Sequence, residues 1–423
     1  MAGAVSFLLL AALIAFVTLR PRGLPEVVVA LPAAVIVVVA RLAPWAAVRH
    51  ELRFLAPTLV FLAAIFVIAE VASVAGVFDA AGAILARRSG GSARRLVLVV
   101  AVAATVTTTV LSLDATAVLL TPVVLRVARA RHADLETPLL TTTQLANGGS
   151  LLLPVSNLTN LIVFPLTGLT FAGFAVRMAF PLAVAVGVIT AVAVVRAGGP
   201  RGGRVVAGGS TELRADAPVE LDGFGRAVAC GLGVLLVAFF AGSLVHVAPS
   251  VIAAVGAVLF GTAAVAHRRT GVGALVRAAA PGFVVFVGAL GVVVTAASRH
   301  GLSRIVGDVL PSGNGLAPLI GVALVAAVLA NIVNNLPATL VLLGAIPSGA
   351  AAPLLAALVG LNVGPNLTYT GSLATLLWRK TVRAADAEPR RRAFFTAAAL
   401  TTPLAVVAAT AALWLSLRVL GGG

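Results

Sequence analysis

Apolar residues run through this chain in long blocks separated by short polar or Gly/Pro-rich stretches. The blocks fall at about 4–19, 26–40, 54–76, 95–130, 139–166, 171–196, 225–247, 249–266, 281–297, 314–346, 350–378 and 394–420. Most approach the roughly 20 residues that carry a helix across a bilayer core of about 30 Å. Lipid offers no hydrogen-bond partners, so each block must satisfy its own backbone as a helix. Two blocks, 95–130 and 314–346, are too long for one crossing and hold polar residues at their midpoints. They predict re-entrant hairpins, with tips near Ser112-Leu113-Asp114 and within 331–337, "NIVNNLP".

Composition sharpens this picture. With 60% hydrophobic and 10% charged residues, and a mean hydropathy of +1.11, a soluble protein is excluded. The net charge of +16 would suggest nucleic acid in a soluble chain. Here the charges fall between the blocks, so the positive-inside rule accounts for them and no nucleic-acid partner is expected. The single cysteine, Cys230, excludes a disulfide framework and a CxxC metal site. The N-terminal block has no leading positive charge and no small-residue cleavage site, so it reads as a first transmembrane helix.

Basic residues set the topology. Ten spans plus two hairpins place 23 of the 30 Lys/Arg on one side, in the groups 20–22, 87–95, 126–131, 196–226, 268–277 and 379–392. The other seven are Arg41, Arg49, Arg53, Arg177, Arg299, Arg304 and Arg418. The richer side is expected to be cytoplasmic, with both termini outside. The Gly/Pro-rich stretch 197–224 reads as a cytoplasmic linker between a first repeat, 1–196, and a second, 225–423. Each half has about five transmembrane helices and one re-entrant hairpin, with an interrupted helix at the midplane (139–166 and 350–378). The halves start on opposite faces. The expected fold is therefore an all-α polytopic membrane protein built as an inverted repeat, a usual architecture of secondary transporters.

Polar groups in mid-membrane are costly unless they line a cavity or glue helices together. Four clusters stand out: "SLDAT" with Asp114 and Thr116, "SNLTN" with Ser156, Asn157, Thr159 and Asn160, "NIVNNLPAT" with Asn331, Asn334 and Asn335, and "NVGPNLTYTGS" with Asn362, Asn366, Thr368 and Thr370. Accompanying Gly and Pro suit helix breaks whose free backbone groups and amides face a substrate. The two Asn-Leu-Thr elements, at 157–159 and 366–368, are read as equivalent positions in the two copies. Asp114 and Glu70 are the two acids well inside apolar blocks, and they are the candidate proton or cation carriers. All five histidines (His50, His132, His246, His267 and His300) fall at block ends or in loops. There is no HExxH, GxSxG or P-loop, so neither an enzyme nor a nucleotide cofactor is expected.

At these residues the chain resembles the arsenical pump membrane proteins, the arsenite/antimonite permeases of the ion transporter superfamily. The resemblance is carried by "DATAVLLTPVVL" (114–125), "LPVSNLTNLIV" (153–163), "NIVNNLPATLV" (331–341) and "GPNLTYTGSLATLLW" (364–378). It implies arsenite and antimonite efflux across the cell membrane coupled to proton entry, in some systems with a cytoplasmic arsenite-stimulated ATPase as partner. It places the hairpin acid at Asp114, the first break at Ser156 to Asn160, the second hairpin at Asn334-Asn335 and the second break at Asn366 to Thr370. This chain has Leu113 where the family often has Asn, and Asn366 where it often has Lys. Dicarboxylate, citrate and sodium/proton carriers of the same superfamily are the competing expectation.

Overall fold

The computed structural model describes residues 2–19, 24–89, 92–130, 134–198, 221–245 and 247–421, and every regular element among them is helical. The first half contains α1 (Ala2–Leu19), α2 (Val27–Val39), α3 (Trp45–Val74), α4 (Val77–Ser89), α5 (Ala93–Val110), α6 (Leu113–Ala115), α7 (Thr121–Ala130), α8 (Glu136–Gly148), α9 (Leu158–Val163) and α10 (Phe171–Ala197). A π turn at Thr116–Leu120 joins α6 to α7. The second half contains α11 (Gly223–Leu244), α12 (Pro249–Ala266), α13 (Val272–Ala278), α14 (Pro281–Ala297), α15 (Ser303–Val309), α16 (Leu316–Val333), α17 (Asn335–Leu343), α18 (Ala351–Val363), α19 (Leu373–Ala384) and α20 (Arg391–Leu420). Most of the linker expected at 197–224 lies outside the described residues.

Eight helical stretches among the described residues are long and apolar enough to cross a membrane. Two of them, α5 and α16, are the entering arms of the expected hairpins. Both expected interrupted spans are present as well, as α8 with α9 and α18 with α19. The block at 26–40 falls short of a crossing: α2 has 13 residues, about 20 Å of helix. The block at 54–76 starts earlier than expected, because Arg49, His50, Glu51 and Arg53 continue α3 back to Trp45.

The packing of the two halves is reciprocal. Helix α2 lies on α14 as α12 lies on α3; α5 lies on α8 as α16 lies on α18; α8 lies on α10 as α18 lies on α20. The pairs α3–α14 and α10–α20 face their own counterparts across the centre. Counterparts run antiparallel, since Ser416 Oγ near the end of α20 donates to the Arg177 carbonyl near the start of α10, at 3.0 Å. Alanines such as Ala185 and Ala193 on α10 and Ala405 and Ala409 on α20 are buried. Such small side chains let membrane helices approach closely. The repeat is inverted.

Loop contacts sort the helix ends onto two faces. On one, Arg126 pairs with Asp79 at 2.9 Å, Arg269 pairs with Asp222, the Arg94 guanidinium lies against Gly198, and Glu136 accepts from the Arg390 amide at 3.2 Å. On the other, the Gly349 amide donates to the Leu166 carbonyl at 2.8 Å, and the Phe171 amide donates to Ser243 Oγ at 2.8 Å. The first face carries the ends of α7 and α19 and the starts of α8 and α20, so the first broken span begins and the second ends where the basic groups sit. Between α19 and α20, Arg379 Nε and Arg383 Nε donate to the two oxygens of Glu388, each at 2.6 Å. Burial pushes the Glu388 carboxyl up, but the two guanidinium groups outweigh it and hold it below the usual carboxylate range.

Two measurements check this arrangement. On a Cys230→Ala background, Ser92→Cys and Ala384→Cys should react with an impermeant maleimide from one side of sealed vesicles, and Ser312→Cys and Ser348→Cys from the other. Labelling of all four from the same side would overturn the two-faced assignment. The second measurement concerns Glu388. A carboxylate whose folded pKa is depressed contributes stability that is present above its unfolded value and lost as pH falls through the folded one. Glu388→Gln should therefore lower the melting temperature at pH 7, and the difference should close below about pH 4. A gap that persists at low pH would show the loss to be one of packing.

Candidate functional site

The hairpin tips are built by side chains that cap a helix restarting after the turn. Ser112 Oγ accepts from the Ala115 amide at 3.2 Å, which starts α6 and places Asp114 in its first turn. In the second hairpin Asn334 adopts φ +76°, a left-handed region unusual for a residue with a Cβ. Its own side chain holds it there: Oδ1 accepts from the Leu336 amide at 3.4 Å and Nδ2 donates to the Thr370 carbonyl at 3.0 Å. The Asn335 amide donates to the Gly371 carbonyl at 2.9 Å. The second tip is thus stitched to the second break. Gly371 is required there, because a Cβ would stand 2.7 Å from Pro365 Cα.

The two broken spans are joined to each other by amides. Asn362, at the end of α18, donates from Nδ2 to Asn160 Oδ1 at 2.6 Å. Its Oδ1 accepts from Asn157 Nδ2 at 2.5 Å and from Thr159 Oγ1 at 2.8 Å. Asn147, at the end of α8, donates to Asn366 Oδ1 at 2.9 Å and to Thr375 Oγ1 at 3.0 Å. Asn160 Nδ2 also donates to the Ser150 and Leu153 carbonyls, at 2.7 and 3.0 Å, where the helix is interrupted. These residues are all buried.

A cavity lies where tips and breaks meet. Its walls include Leu113 and Asp114 from the first tip, Asn334 and Asn335 from the second, Asn157 and Thr159 at the start of α9, and Leu373 and Leu376 of α19. The sides are completed by Phe283 and Phe286 of α14, Val17 of α1 and Glu26, the residue ahead of α2. Because Val17, Glu26 and Phe283 stand at the ends of their helices on the basic face, the cavity leads from the tips toward that face. The buried Oδ1 of Asp114 has no hydrogen-bond partner among the described residues. No Lys or Arg lines the cavity among the described residues. The walls can therefore offer neutral donors, hydroxyls and carboxylates to a small polar solute, with an apolar floor.

Of the residues singled out from sequence, Asp114, Asn157, Thr159, Asn334 and Asn335 come together on this cavity. Ser156, Asn366, Thr368 and Thr370 do not line it. Ser156 Oγ ties the first break to the Thr109 carbonyl at 2.9 Å, Thr368 Oγ1 donates to Asn331 Oδ1 at 2.9 Å, and Asn366 Nδ2 donates to the Gln144 carbonyl at 3.0 Å. Glu70 sits in the last two turns of α3, beside the basic face, and does not line the cavity. The two Asn-Leu-Thr elements are not structural equivalents. Asn157 caps α9, whereas the residue that caps α19 is Ser372; the copies align at an offset of 215 (372 minus 157), not 209. At this offset Asn147 matches Asn362 and Gly149 matches Gly364. The hydrogen bonds agree, since Thr109 donates to the Gly149 carbonyl and Asn331 to that of Gly364. Asn147, Thr375 and Glu26 belong to this region and were missed by sequence reasoning, which had singled out Asn362; Asn147 was findable from the Asn-x-Gly that it shares with Asn362 at the end of each half-helix.

Known proteins agree with this architecture. The family profile described as citrate transporter, CitMHS, matches residues 10–365. The arsenical pump membrane protein of Escherichia coli K12 is 29% identical over 331 residues, covering 74% of this chain and 76% of that protein. The arsenical pump membrane protein of Yersinia enterocolitica is 28% identical over 343 residues, again 74% and 76% of the two chains. Among solved structures, the YdaH transporter of Alcanivorax borkumensis, noted for an unusual topology, aligns with a TM-score of 0.57 at 17% identity, covering 89% of this chain and 88% of its own; that likeness concerns the fold. With paired hairpins, crossed broken helices and a cavity at their meeting point, this multi-pass membrane chain belongs to the CitMHS family of transporters in the ion transporter superfamily, and it resembles the arsenical pump membrane proteins.

Proposed function

We propose that this chain exports arsenite and antimonite across the cytoplasmic membrane in exchange for protons, with its basic face toward the cytoplasm and Asp114 as the proton carrier. The observation that carries this reading is the cavity wall: one acid at a hairpin tip among Asn157, Thr159, Asn334 and Asn335. Arsenite near neutral pH is mostly an uncharged trihydroxide, and amides with hydroxyls match its donors and acceptors without holding it too tightly to release. The names of the curated relatives favour the same substrate. The family description favours a second reading, citrate. A tricarboxylate calls for guanidinium or ammonium partners, and the cavity wall supplies none among the described residues.

The mechanism follows from one carboxyl serving two ligands. As a carboxylate, Asp114 can accept a hydrogen bond from an arriving trihydroxide; once protonated it has lost that acceptor, and the solute leaves. An ionised acid at depth is costly, so the unpartnered oxygen favours exchange of a proton for a solute over an empty charged site. The inverted repeat allows the same tips to face either side in turn.

Everted vesicles with an imposed proton gradient test the coupling. Asp114→Asn should insert normally and lose gradient-driven arsenite accumulation; full pH-dependent transport in that variant would move the carrier role to another acid. If wild-type vesicles accumulate citrate and no arsenite, the second reading replaces the first. A further test separates wall from scaffold. Asn157→Ala removes a polar group from the cavity as well as a bond to Asn362, and in the protein that inserts it should weaken apparent substrate affinity about five- to 150-fold, the equivalent of roughly 1–3 kcal/mol. Asn366→Ala, which leaves Asn147 short of a partner outside the cavity, should lower the amount of inserted protein and keep the affinity of what remains. Equal losses of affinity in both variants would place Asn366 at the substrate after all.

A further inference from the structure

The inverted repeat provides an internal control for the cavity. Its counterpart on the opposite face is a second cleft formed by the matching elements: the end of α11, the start of α12, α3 and the region after α9. That cleft is lined by residues such as Pro57, Thr58, Phe164, Phe239, Ser243 and Ser250, and by none of the tip residues. The residue ahead of α12, in the place that Glu26 holds ahead of α2, is Ala248. The first-tip acid has no counterpart either, since the matching tip carries Asn334, Asn335 and Leu336. Both acids of the site therefore belong to one cavity; the matching cleft has neither, and Glu51, an acid on that face, lines a separate cleft with His50 and Arg299.

Packing and helix geometry are satisfied without an acid at this position, as Ala248 demonstrates. Glu26 also stands at the beginning of α2, where the backbone dipole favours a negative charge. Phe283, Phe286, Val17 and Leu376 form the apolar wall near Glu26. Asp114 and Glu26 are the titratable groups of the wall among the described residues; Arg20 and Arg22, close in sequence, lie outside them. From this arrangement we infer that Glu26 is the inner station of the proton path, the carboxylate through which Asp114 returns its proton to solution on the basic face. In the step, the Asp114 carboxyl gives up its proton, through water, to the Glu26 carboxylate. Glu26 then releases it to solution, leaving both groups ionised and the cavity ready for solute.

This inference rests on Asp114 being the proton carrier, so the test separates proton movement from solute movement. Purified full-length protein in liposomes is assayed in two modes: exchange of arsenite at equal concentrations without a gradient, and accumulation driven by a pH gradient. Glu26→Gln should lose about tenfold or more of gradient-driven accumulation, the scale of a removed proton-transfer group, and a clearly smaller factor of exchange. Glu26→Asp should restore most of the accumulation. Loss of exchange and accumulation by the same factor in well-inserted Glu26→Gln, or loss of neither, would overturn the assignment. If wild type moves citrate and not arsenite, the substrate reading fails and the same two modes are run with citrate. A third measurement needs no solute. A water-soluble carbodiimide with an amine, applied to either side of sealed vesicles and mapped by peptide mass spectrometry, should modify Glu26 and Asp114 from the basic face and neither from the other. Modification of Asp114 from the opposite face alone would overturn the path.

Discussion

The structure depends on two crossed amide contacts at the centre of the membrane, Asn362 to Asn160 and Asn147 to Thr375. Interrupting a membrane helix leaves carbonyls and amides with no water to satisfy them. Here Asn160 takes the Ser150 and Leu153 carbonyls, Asn331 that of Gly364 and Asn366 that of Gln144, and side-chain contacts link the two breaks. Because Asn157, Thr159 and Asn160 all converge on one side chain of the opposite half, neither break is complete without the other. Buried polar networks of this kind favour one register strongly, since a partly satisfied network costs more than an apolar one. The two halves are thereby fixed together at the depth where the cavity opens.

Around that centre the roles divide between tips and breaks. The breaks are largely saturated: Asn157 donates to Asn362 while accepting from the Thr159 amide, and Asn366 is committed to Asn147 and Gln144. The tips retain unused capacity, above all the unpartnered oxygen of Asp114. A site of this form combines a rigid amide wall with one group whose charge can change. The pairing suits a carrier, in which binding must be specific yet reversible.

Much of this was legible in the sequence, and the reasons are physical. Lipid enforces helices on apolar blocks, so the hairpins and interrupted spans could be read from block length and from polar residues at block centres. The positions of Asp114, Asn157, Thr159, Asn334 and Asn335 followed from the cost of polarity at depth. Register between the halves was not legible from the repeated Asn-Leu-Thr, because the same tripeptide serves two purposes. At 157 it caps a helix restarting after the break, and at 366 it closes the turn before one. Glu26 was overlooked because it stands at the very edge of an apolar block, where an acid looks like ordinary surface. Only the packing of α2 against α14 brings it to the cavity.

The shortness of α2 has a consequence for the lipid. Its 13 residues span about 20 Å against a hydrocarbon core near 30 Å. Val28, Leu31, Val35 and Ile36 are nevertheless exposed on its outer side, where acyl chains must meet them. The bilayer can meet so short an apolar surface by thinning on that flank. Its counterpart α12 has 18 residues and makes no such demand. Headgroups and water are thus drawn inward beside the mouth of the cavity and not beside the opposite cleft, which shortens the distance an ion must travel through oil on one side of the protein alone.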